Sequence, residues 1–128
     1  MKDRYVLDSS IWIELERGNP AISTLVQPFI DRNEVCVVDL IVAELLRGTK
    51  SRRDFDRLES AFADFVWLSA DWERVAETAF RVARKGLNPP LTDLYIAQSV
   101  HDNDKVIVTQ DKHFKQIAGV LPFKFVLL

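Results

Sequence analysis

The sequence predicts an α/β fold: one domain built on a mainly parallel sheet of about four to five strands. Short apolar runs such as Val35-Cys36-Val37-Val38 and Val106-Ile107-Val108 alternate with stretches of helical periodicity, which is the pattern of βαβ units. The chain of 128 residues is long enough for one stable core, and no repeat, low-complexity segment or linker divides it. Acidic residues also stand at the ends of apolar runs, where strands hand over to helices in a parallel sheet.

Each element has its own signal. Arg4 to Leu7 reads as the first strand. A helix follows from near Ser10 through Ile11, Trp12, Ile13 and Leu15, and stops before Gly18-Asn19-Pro20. A second helix covers Ala21 to Arg32, with Ile22, Leu25, Val26, Phe29 and Ile30 on one face. Glu34 to Val38 is the second strand. Asp39 is expected to cap a helix over Leu40 to Leu46 that ends at Gly48. Ser51 to Phe62 forms another helix, and Phe65 to Leu68 a short third strand. Asp71 caps a long helix whose expected buried face is Trp72, Val75, Ala76, Ala79, Phe80, Val82 and Ala83. Gly86-Leu87-Asn88-Pro89-Pro90 cannot continue it and forms a loop that delivers Thr92 and Asp93 to a helix over Leu94 to His101. Val106 to Thr109 is the fourth strand, His113 to Ile117 a short helix, and Phe123 to Leu127 a last strand.

Composition narrows the function classes. With 48% hydrophobic and 28% charged residues the chain is that of a soluble globular protein, and the formal net charge of −2 does not announce a general nucleic-acid binder. The single Cys36 lies inside an apolar run, cannot form an internal disulfide and suits a reducing cytosol. No apolar stretch approaches the roughly 20 residues of a membrane span, and the N-terminus lacks a signal-peptide pattern. A cytoplasmic protein is expected.

Four acids carry the chemistry. Asp8 follows Tyr5-Val6-Leu7, Glu44 lies past the second strand, Asp93 opens an apolar helix, and Asp111 closes the fourth strand. Each has an ordinary reading as well: Asp8 and Asp93 as helix caps, Asp111 as a turn residue, Glu44 on an exposed helix face. Their joint placement at strand-to-helix corners favours convergence. At about 5 Å and an effective dielectric of about 20, each like-charged pair would repel by about 3 kcal/mol, so such a cluster needs a divalent cation or bound protons. The pattern points to a metal-dependent hydrolase site. There is no Cys pair and no His-x-x-x-His spacing to make a zinc site, and His101 and His113 read as structural.

The segments Val6-Leu7-Asp8-Ser9-Ser10-Ile11-Trp12-Ile13, Val42-Ala43-Glu44-Leu45-Leu46-Arg47-Gly48, Thr92-Asp93-Leu94-Tyr95-Ile96-Ala97 and Val108-Thr109-Gln110-Asp111-Lys112-His113-Phe114 resemble, in order and over essentially the whole chain, the four motifs of PIN-domain ribonucleases, and more narrowly those of VapC toxins from toxin–antitoxin pairs. The resemblance implies an α/β/α sandwich, Mg²⁺ or Mn²⁺ held by Asp8, Glu44, Asp93 and Asp111, and hydrolysis of RNA to 5′-phosphate and 3′-hydroxyl ends. It also implies a homodimer and an antitoxin partner whose C-terminal segment lies across the groove. The chain departs from many relatives in carrying His113 where they have a further acid, and from some in carrying Ala97 one turn after the third motif acid.

Around this core, Ser9 and Thr109 are candidates for fixing carboxylate rotamers. Arg47, Lys50, Arg52, Arg53 and Arg57 form the densest basic stretch, interrupted by Asp54 and Asp56, and are candidates for contacting RNA phosphates or antitoxin. A solvated helix face is the plain alternative for them. Two competing functions remain at the sequence level. A phosphoacceptor signalling domain would need adjacent acids after the first strand and an Asp after the third, where this chain has serines and Trp67-Leu68-Ser69. A non-catalytic PIN fold used for binding would not need four acids.

Overall fold

The computed structural model describes residues 2–128. Five strands, β1 (Tyr5–Leu7), β2 (Val35–Val38), β3 (Trp67–Leu68), β4 (Val106–Thr109) and β5 (Lys124–Leu127), form one sheet in the order β3-β2-β1-β4-β5, and every pairing is parallel. Seven helices lie between them: α1 (Ser9–Glu16), α2 (Pro20–Asp31), α3 (Asp39–Arg47), α4 (Arg52–Phe62), α5 (Trp72–Arg84), α6 (Leu91–Asp102) and α7 (His113–Ala118). None is long and apolar enough to cross a membrane.

Alternation along the strands sorts the core into two layers. Val6, Cys36, Val38 and Ile107 face α5, α6 and α7, where Val75, Val82, Ile96, Val100, Phe114 and Ile117 pack against them. Leu7, Val35 and Val108 face the other way, onto Ile11 of α1 and Ile22 and Val26 of α2, while Val37 meets Val42 of α3 and Phe62 of α4. The expected sandwich therefore has helices on both sheet faces.

Local chemistry sets the element ends. Asp8, Asn19, Ser51 and Asp71 cap α1, α2, α4 and α5 with side-chain oxygens that accept backbone N–H bonds. Gly18 and Gly86 stop the chain after α1 and α5 at φ of +76° and +78°, a region that side chains with a Cβ rarely adopt.

Several expectations need correction. Asp39 is not the cap of α3 but its first residue; Val38 holds the cap position, and the Asp39 carboxylate accepts from Leu40 N–H and the Tyr95 hydroxyl. Helix α6 begins at Leu91, three residues earlier than expected, because Pro90 supplies an extended cap that launches the helix directly. On α5 the buried positions are Val75, Thr78 and Val82, with Ala79 packed beside them, whereas Trp72 is 56% and Phe80 58% exposed. Phe80 sits about 140° around the helix from Val75, and its ring lies under the Arg84 guanidinium at 4.9 Å. A hydrogen bond from Thr78 to Gln98 of α6 occupies the centre of the packed face, a polar pair that hydrophobic periodicity does not signal. Leu25 is likewise exposed on α2. Strand β3 keeps only two of its four expected residues.

Strand order locates the functional edge. The chain runs outward from β1 to β2 and β3, then returns to the other side of β1 for β4 and β5. The point of reversal lies between β1 and β4, and the crevice beyond their carboxyl ends is where open parallel sheets place ligands.

Candidate active site

Asp8 and Asp111 arrive at this crevice directly from the two central strands. Asp8 continues β1: its N–H bonds to the Val108 carbonyl at 3.0 Å, and it then turns the chain into α1. One carboxylate oxygen accepts from Ser9 N–H at 2.9 Å and the other from the Thr109 hydroxyl at 2.7 Å. Asp8 is thus the cap of α1, and its carboxylate lies at the crevice. Thr109, fully buried at the end of β4, also accepts the Asp111 N–H at 2.9 Å. A single hydroxyl bonds the carboxylate of one acid and the backbone N–H of another. Ser9 acts on Asp8 through its backbone N–H rather than its hydroxyl.

Asp93 is delivered from the opposite layer. It stands in the first turn of α6 and is not a cap. Its carboxylate meets His113 Nδ1 at 3.1 Å, and the same nitrogen lies 3.0 Å from Asp111 Oδ1. Donor atoms of Asp93, Asp111 and His113 all fall within 4.8 Å of one another. His113 therefore belongs to the site, contrary to its structural reading in the sequence. Its sequence signals were its place two residues after Asp111, at the start of α7, and its standing where the resemblance leads one to expect a further acid. His101 stands apart from this group, paired with Asp102 on α6.

Electrostatics ties the acids together. Burial, a hydrogen bond shared with Asp111, and the charges of Asp111 and Asp8 push the Asp93 carboxyl up to about 7, against the pull of His113. Burial also raises Asp8, opposed by its bonds to Thr109 and Ser9, with the Asp111 charge adding to the rise. Glu44 rises through burial and the charge of Asp8, offset by Arg47. A divalent cation held among these carboxylates would offset the repulsion between them. Oxygen donors dominate the set, which fits a hard cation. Asp93, Asp111 and His113 form the tight group, Asp8 adjoins it through Thr109, and Glu44 stands further out on α3.

Glu44 and Ser9 open onto a groove of about 1170 Å³ between α1, α2, α3 and α4. Its walls are apolar at Trp12, Leu15, Ile30, Leu45, Leu58 and Phe62. Arg47 and Lys50, with Arg57, line it. Arg52 and Arg53 do not: Arg52 pairs with Asp56 at 3.1 Å and lies over the Phe55 ring.

Comparisons agree with this architecture. Residues 5–120 match the family model of the PIN domain. The chain is similar in structure to VapBC2 from Rickettsia felis bound to a DNA fragment from its promoter, with 17% identity, 97% of this chain and 98% of that chain covered, and a TM-score of 0.75. It is similar to DNA-bound VapBC from Salmonella typhimurium at 18% identity, 98% of both chains and a TM-score of 0.74. FitAcB from Neisseria gonorrhoeae matches at 17% identity, 94% of this chain and 95% of that one, with a TM-score of 0.67. At these identities the likeness is one of fold. Comparison with curated protein sequences finds no match. The match over nearly the whole chain, on a fold that gathers acids at the β1/β4 reversal, shows that the chain belongs to the PIN-domain family.

Proposed function

We propose that this protein is a divalent-metal-dependent endoribonuclease and the toxin of a toxin–antitoxin pair. The observation that carries this reading is the meeting of Asp8, Asp93 and Asp111 at one sheet edge, with Asp93 raised to about 7 by burial and by the adjoining acids. Asp93 and Asp111, with Asp8 beside them, would hold Mg²⁺ or Mn²⁺; Glu44 is placed to hold a second ion or orient water. When bound, the cation polarises a phosphodiester and lowers the pKa of bound water.

The chain's own residues do the rest. Thr109 keeps the Asp8 carboxylate and the Asp111 backbone in register. Arg47 and Lys50 offset the negative field where RNA phosphates enter beside Glu44. In the hydrolysis, a water oxygen forms a bond to phosphorus, the bond to the 3′-oxygen breaks, and that oxygen takes a proton. The ends are then a 5′-phosphate and a 3′-hydroxyl.

The structural neighbours named VapBC and FitAcB support an antitoxin partner. The apolar groove lined by α1 and α3 and rimmed by Arg47 and Lys50 offers it a surface. A homodimer in the cytoplasm belongs to the same reading.

The experiment is cleavage of RNA with Mg²⁺, with Mn²⁺ and with chelator, beside Asp8→Asn and Asp93→Asn. Cleavage that needs the ion and both acids supports the reading. Cleavage that survives chelation or both substitutions overturns it.

A further inference from the structure

We infer that His113 is itself a ligand of the divalent cation, and that it biases this site toward Mn²⁺ and other first-row transition ions over Mg²⁺. The inference rests on the metal-centre reading above and extends it to ion choice.

The placement of the ring carries the argument. Nδ1 lies 3.1 Å from Asp93 Oδ2 and 3.0 Å from Asp111 Oδ1, so one nitrogen and two oxygens from three residues converge. Cis donors around an octahedral ion with bonds of about 2.1 Å are about 3.0 Å apart, which is the spacing Nδ1 already has from each of the two oxygens, and all the donor atoms fall within 4.8 Å of one another. The backbone that carries the ring is anchored. Its backbone N–H donates to Asp111 Oδ1 at 2.9 Å, and the next residue, Phe114, is fully buried in the core. The side chain is 46% exposed, against 34% for Asp111 and 13% for Asp93, so an ion can approach from solvent on the imidazole side.

Donor chemistry then sets selectivity. Mg²⁺ favours oxygen and keeps its waters, whereas the affinity of a mixed nitrogen and oxygen site for first-row ions starts at Mn²⁺ and rises through Co²⁺. A further carboxylate here would leave an all-oxygen pocket. The single nitrogen gains nothing with Mg²⁺ and strengthens the hold on a transition ion. The alternative role, a ring that only orients Asp93 and Asp111 by hydrogen bonding, predicts no direct metal–nitrogen bond and no ion-specific effect.

The test is calorimetric binding of Mg²⁺, Mn²⁺ and Co²⁺ to the wild-type protein, His113→Asn and His113→Asp, with pulsed EPR of the Mn²⁺-loaded forms and thermal unfolding to show that each variant is folded. The wild type should show hyperfine coupling of Mn²⁺ to an imidazole nitrogen, absent from both variants. The Mn²⁺-over-Mg²⁺ preference should fall by about tenfold in His113→Asn, and His113→Asp should recover Mg²⁺ binding. If Mn²⁺ binds through Asp93 and Asp111 without nitrogen coupling, or if the preference is the same in all three proteins, the inference fails while the metal-centre reading stands. If no ion binds any of them, both fail.

Discussion

The Tyr95 hydroxyl donates to Asp39 Oδ1 at 2.9 Å and accepts the Ala70 N–H at 3.1 Å. Tyr95 lies two residues past Asp93 on α6, and Asp39 opens α3, which carries Glu44. This one phenol therefore clamps the helix that delivers Asp93 to the helix that delivers Glu44, just beyond the ends of β2 and β3. Tyr95→Phe should lower unfolding free energy by about 1–2 kcal/mol, since it strips a partner from a carboxylate and a backbone N–H. Urea denaturation at neutral pH measures this; a change under a few tenths of a kcal/mol would show that water replaces the clamp.

Thr109 is the joint between the two central strands' acids. Thr109→Val preserves the shape but leaves Asp8 without its 2.7 Å donor and the Asp111 N–H without its acceptor. Mn²⁺ affinity should drop by about 10–100-fold, and Thr109→Ser should restore most of it. Equal affinity in the valine and serine variants would mean that packing alone, and not the hydroxyl, aligns the carboxylates.

Asp93 makes ion-free stability depend on pH. Its unfolded carboxyl titrates near 3.8 and its folded one near 7. Between those values the unfolded chain has released a proton that the native protein keeps, so stability falls as pH rises, and the loss is complete above about 7. In chelator, Asp93→Asn should be more stable than wild type at pH 8 and lose that part of the pH slope. It should also lose stabilisation by added Mn²⁺. Denaturation curves at pH 5 and pH 8 decide the matter, and parallel slopes for the two proteins would count against it.

Cys36 is fully buried on β2, and burial pushes its thiol up to about 11. A thiol-specific reagent at pH 8 should leave the native protein unmodified and react fully only in denaturant. Rapid labelling of folded protein would reveal an opening of the sheet near β2 that the packed core argues against.

Much of this protein could be read before folding was considered. The apolar runs at Val35–Val38 and Val106–Thr109 announce buried parallel strands because both their faces are covered. Asp8 and Asp111 are conspicuous because each ends such a run, and motif order extends the pattern to Glu44 and Asp93. Helix faces were less readable. Trp72 and Phe80 look like core residues by composition, yet the buried Thr78–Gln98 bond sets which side of α5 meets α6.

Distances between side chains were beyond local pattern altogether. His113 gains its place only when the first turn of α6, twenty residues earlier, brings Asp93 to within 3.1 Å of its ring. Arg52 and Arg53 are as basic as Arg47 and Lys50, but only the latter two line the groove. Residue order sets which groups lie on which strand end or helix turn. The reversal of strand order at β1 and β4, and the packing of two helical layers on one sheet, set which of those groups come near enough to share a proton or an ion. Coulomb and ligand forces act over a few ångströms of space and are indifferent to separation along the chain.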